Sequence, residues 1–98
     1  MSAVRLHPIR WADLDFPGFW EVELTDALGH TWTIVDKVPV LADGEWSSPD
    51  LPAELWFPCE VLNEPDEAGS VRISLACGVE SVDGTGVFRV AADRVRPE

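Results

Sequence analysis

FWEVELTDALGHTWTIVD, residues 19–36, holds two alternating runs joined by a short turn, and from it the fold class follows. In residues 19–25 the apolar Trp20, Val22 and Leu24 alternate with Glu21 and Glu23. A period of two puts one face of a strand in a core and the other in water. Asp26-Ala27-Leu28-Gly29 supplies the turn, because Gly29 adopts positive φ without steric penalty. Residues 30–36 return with Trp32 and Ile34 on the apolar side. The pattern predicts an antiparallel hairpin with Trp20 and Trp32 facing inward.

The same alternation recurs on both sides of this hairpin. Residues 4–11 are apolar enough for a first strand, and Pro8, which lacks a backbone donor, predicts an edge position for it. Residues 13–18 read as a loop carrying Leu14 and Phe16. Pro39 makes residues 37–41 an edge or irregular segment. Residues 42–52 are loop-like around a solitary Trp46, and Ser48 offers a cap for a short helical turn over 48–55. In residues 54–62, Leu55, Phe57, Cys59 and Val61 share one face and Glu54, Trp56, Pro58 and Glu60 the other, so Trp56 is predicted on the wet side. Residues 71–79 alternate most regularly, with Val71, Ile73, Leu75, Cys77 and Val79 inward. Asp83-Gly84-Thr85-Gly86 is a turn before a strand over 87–92, after which 91–95 closes as a helical or 3₁₀ turn.

Five or six short strands with no long helix predict an all-β protein. A lone sheet leaves one face uncovered, so the meander should curl into a small antiparallel barrel, SH3-like or OB-like, forming a single domain over residues 1–98. A small β-sandwich is the alternative, followed by an α+β roll with a helix between residues 42 and 54. Ninety-eight residues suffice for one core only.

Charge narrows the function. Eighteen acidic residues stand against seven basic ones, a net charge of -11. Such a field repels nucleic acid and anionic lipid, whose binding needs clustered Lys and Arg. No apolar run is long enough to span a membrane and the N-terminus lacks a signal-peptide stretch, so a soluble cytoplasmic protein is expected.

No pattern of catalytic residues emerges. His7 and His30 have no nucleophile at a recognisable spacing, and His30 reads as an exposed turn residue bonded to Asp26. Carboxylate pairs such as Asp13 with Asp15 read as solvated loop charges. Gly84 and Gly86 serve a hairpin, since no Lys-Ser or Lys-Thr follows them. Cys59 and Cys77 lack zinc-knuckle spacing and read as buried thiols; a symmetric hairpin sets Cys59 opposite residue 73 or 75, which disfavours a disulfide. The expectation is a non-enzyme with no cofactor and no metal.

A binding face is more legible. Between Lys37 and Arg72 lie eight acidic residues, two tryptophans and no base. Trp46 and Trp56 beside Glu45, Asp50, Glu54 and Glu60 form the candidate partner-binding set: aromatic anchors supply desolvated area and carboxylates steer a basic protein. Neutralising a basic nuclease-like or toxin-like protein, the task of small bacterial immunity proteins, would use such a face, as would an accessory or regulatory subunit gripping a Lys- and Arg-rich tail. The alternatives are a self-associating structural protein, dimerising through the Val38-Pro39-Val40 edge or the aromatics, and a barrel that binds a small ligand without catalysis.

Overall fold

One long strand, β1 (Ser2–Asp13), organises the computed structural model, which describes residues 2–42 and 51–97. Its first half pairs antiparallel with β4 (Leu55–Val61) on one edge and with the short β7 (Val95–Pro97) on the other; its second half pairs with β2 (Phe19–Thr25). From β2 the chain turns into β3 (Thr31–Lys37), while β4 leads through β5 (Ser70–Leu75) to β6 (Val87–Ala91). The order β3-β2-β1-β4-β5-β6 is a curled antiparallel sheet forming a half-barrel, so the protein is all-β as the alternation predicts. A 3₁₀ turn, Ala92–Arg94, carries β6 round to β7 beside β1. The β2–β3 hairpin is built out of the connection between β1 and β4.

The hairpin folds back on the far end of the sheet. Ala27 N–H donates to the Arg89 carbonyl at 2.9 Å, and Val82 N–H donates to the Thr33 carbonyl at 2.9 Å. Trp32 meets Phe88 edge-on, ring centroids 5.3 Å apart. The inward residues of every strand then share one core, in which Val4, Leu6, Trp20, Val22, Leu24, Ile34, Leu55, Phe57, Cys59, Ile73, Phe88 and Val90 are buried. Burying such side chains stabilises by about 1.5–3 kcal/mol each before the entropic cost of ordering the chain.

Four local expectations are corrected. Pro8 does not mark an edge: it lies in the centre of β1 at a register shift between Pro8 and Arg10, where a missing donor is harmless, and its carbonyl accepts a hydrogen bond from Ala53 N–H. Residues 38–41 form a single helical turn, α1 (Val38–Leu41), because the first turn of a helix tolerates a proline. The strand expected over 71–79 ends at Leu75; Cys77 and Gly78 both take positive φ in a 3₁₀ turn, so Cys77 is exposed and not a buried thiol. Val61, expected inward, is 37% exposed at the end of β4. Cys59 stands opposite Leu75, as the symmetric hairpin requires.

Two hairpin turns share one side-chain device. Asp26 N–H donates to the His30 carbonyl and Gly29 N–H to the Asp26 carbonyl, while Asp26 Oδ1 accepts from Leu28 N–H and His30 N–H, each at 2.9 Å. Asp66 repeats the pattern, with Gly69 N–H donating to its carbonyl and its carboxylate accepting from the N–H groups of Ala68 and Ser70 and from the Ser70 hydroxyl. Asp26 Oδ2 also accepts from the Trp32 indole N–H at 3.0 Å, tying the turn to the Trp32–Phe88 contact. Partial burial pulls the Asp26 carboxyl upward, but the bonds from Trp32, His30 and Leu28 outweigh it and hold the group below its ordinary value of 3.8. Because the folded value is depressed, this contribution to stability is present above the unfolded carboxylate range and is lost as pH falls through the folded value. Asp26→Ala should therefore cost about 1–2 kcal/mol near neutral pH, and its deficit in urea unfolding should shrink by about pH 3.

Candidate functional site

The face expected to carry a partner is the outside of β4. Alternation sends Leu55, Phe57 and Cys59 into the core, which leaves Glu54, Trp56, Pro58 and Glu60 on the other side of the strand. Trp56 is half-buried, and Glu54 and Glu60 are exposed. Trp46, Glu45 and Asp50 lie outside the described residues.

Two arginines complete the surroundings of Trp56. Arg5 on β1 stands directly opposite Trp56, its guanidinium 5.6 Å from the ring centroid, and forms a 3.3 Å ion pair with Glu54. Arg96 belongs to β7, on the other edge of β1, opposite Ala3. Ala3 is fully buried and small, and above it the Arg96 guanidinium stacks over Trp56 at 4.1 Å. A cation over indole contributes about 0.5–1 kcal/mol at an exposed site, and the exposed Arg5–Glu54 pair at most about 1 kcal/mol. Together Arg5 and Arg96 place two guanidinium groups against the one indole.

Beside this cluster runs a groove of about 760 Å³ between α1 and the first half of β4, where β4 has no pairing with β5. Its lining includes Val40, Leu41, Leu55, Phe57 and Pro58 together with Trp56, Glu54 and Arg96. Cys77 also lines it and is a free, exposed thiol. Among the described residues no group of three or more His, Cys, Asp and Glu is placed to hold a metal ion. No helix of the described residues is long and apolar enough to cross a membrane.

The alternation of residues 54–60 places Trp56, Glu54 and Glu60 on the outer face, where the structure has them, but carries no sign of Arg5 and Arg96. Arg5 follows from the phase of β1, in which Val4 and Leu6 point inward, once β1 is known to pair with β4. Arg96 had no such signal, because three residues after a 3₁₀ turn carry no readable period. His30 is an exposed turn residue whose backbone N–H bonds to Asp26, as expected, and its ring meets Trp32 edge-on at 4.8 Å. Comparison with known protein families, with curated proteins and with solved structures finds no match.

Proposed function

We propose that the protein is an acidic interaction module that binds a basic protein partner, in a role of the immunity or accessory-subunit kind, and performs no catalysis itself. The observation that carries this reading is that the negative field is not neutralised internally. With a net charge of -11, the described residues hold ion pairs only at Arg5–Glu54 and Arg10–Glu21. The remaining carboxylates are available to steer a basic surface and to reject an acidic one. On β4, Trp56 supplies ordered aromatic area between Glu54 and Glu60, and the mixed charges around it favour one docking register over others.

Affinity capture at about 50 mM and about 200 mM salt, with the retained proteins identified, tests the reading. Basic proteins should be retained at the lower salt and weaken at the higher. Trp56→Ser and Glu60→Lys should each reduce their retention while leaving the circular dichroism spectrum of the fold. Retention of acidic and basic proteins alike, or of none, would overturn it. A second reading, binding of a small ligand without catalysis, is favoured by the groove, whose volume falls in the range of about 300–1,000 Å³ common to such sites.

A further inference from the structure

We infer that the loop between β1 and β2 is the anchor of the interaction: Leu14 and Phe16 insert into an apolar pocket that is ringed by Lys and Arg on the partner protein. This rests on the reading of the chain as a module for a basic protein and places the main contact at a second site, away from Trp56.

Phe16 is 99% exposed and Leu14 76%. Rings and branched chains so placed add nothing to the core, and two on one short loop make a protruding apolar tip. The tip is built rather than loose. Asp15 N–H donates to Asp13 Oδ1 at 2.9 Å, Gly18 N–H donates to the Asp15 carbonyl at 2.6 Å, and Val38 N–H donates to the Gly18 carbonyl at 2.9 Å. At its base the Trp11 ring lies over Gly18, where an added Cβ would come within 3.0 Å of Trp11 Cζ3, and Trp11 in turn meets the buried Trp20 edge-on at 5.7 Å. The loop is thus ordered by folding, which lowers the entropy lost when it docks.

The charges select the occupant. Asp13 and Asp15 alternate with Leu14 and Phe16, and among the described residues neither is in an ion pair. Two carboxylates beside an inserted ring disfavour an anionic bilayer or a nucleic acid, whose charge has the same sign. They disfavour a second copy of this chain too, since it carries the same net charge. A protein pocket with an apolar floor and a cationic rim meets both features at once, with the ring as the desolvated anchor and the aspartates on the rim.

Photo-crosslinking in the host cells tests this, with p-benzoylphenylalanine placed in the full chain at position 16 and, separately, at position 56. The inference expects position 16 to capture a basic protein through a residue near an apolar pocket. That protein, purified, should bind the unmodified chain with an affinity that Phe16→Ser lowers at least ~30-fold and Asp13→Asn with Asp15→Asn lowers more at low salt than at high. Phe16→Ser should leave the melting temperature within about 2 °C of the parent, so that a loss of binding is not a loss of fold. Crosslinking of a basic protein at position 56 but not at 16 would overturn the loop as anchor and leave the interaction reading standing. Failure at both positions would overturn both. Capture at position 16 of a second copy, an acidic protein, lipid or nucleic acid would overturn the inference.

Discussion

Trp20→Ala should destabilise the protein by about 3–5 kcal/mol, the largest stability effect expected of any single substitution here. Trp20 is the bulkiest of the fully buried side chains. It lies on β2 between the strands that form the hairpin arm, opposite Trp11 on β1 and Asp36 on β3. Truncation removes the apolar transfer gain and leaves a void that a hydrogen-bonded sheet on either side cannot easily close. A domain of this length has about 5–15 kcal/mol of total stability, so the variant should be marginal, with a melting temperature lower by roughly 15–30 °C. Urea unfolding followed by circular dichroism measures the loss. A cost below about 1 kcal/mol would mean that Trp20 does not organise the core. The contrast with Phe16→Ser, expected to be nearly silent in the same assay, separates the tryptophan that builds the fold from the ring that is displayed on it.

Gly18→Ala should cost about 2–3 kcal/mol, even though it adds only a single methyl group, because Gly18 is buried. Gly18 has φ +85°, a conformation that disfavours any L side chain by about 1–2 kcal/mol. The new Cβ would also stand 3.0 Å from Trp11 Cζ3 and 3.6 Å from Val38 Cγ2. An indole ring cannot bend away as the end of a lysine can, so either the ring or the loop must shift. Gly29→Ala is the control: its φ is +83° but a Cβ there meets nothing within 4 Å, and it should show the conformational cost alone. Equal losses for the two variants in thermal unfolding would show that Trp11 does not clamp the loop. The Gly18 variant should also weaken any contact made through Phe16, because the turn between Asp15 and Gly18 sets where that ring points.

The core was legible because its signal is local. Trp20, Val22 and Leu24 are buried and Glu21 and Glu23 lie on the opposite face, as the period of two requires. The two apolar–polar phases of residues 54–60 likewise put Trp56 on the outer side with Glu54 and Glu60. Where alternation misled, a backbone event intervened that alternation does not encode. Cys77 keeps the inward phase of Leu75, yet the chain leaves β5 before it and turns through two left-handed residues. Gly78 was the available sign of that turn. Pro8 is the opposite case: a residue without a donor suits a sheet edge, but a register shift inside the sheet serves it equally well.

From its residue order alone the chain specifies that it is all-β, which side of most strands is buried and where the Asp26–Gly29 turn falls. All three depend on neighbours a few residues apart, so no knowledge of distant contacts is needed. The pairing of β1 with three other strands, the stacking of Arg96 on Trp56 across Ala3, and the isolation of Phe16 beyond the clamp of Trp11 and Gly18 depend on residues up to ninety-five positions apart in the chain. Long-range register sets them, and register is a property of the assembled sheet, because the same alternating strand can pair with any neighbour that offers a matching apolar face.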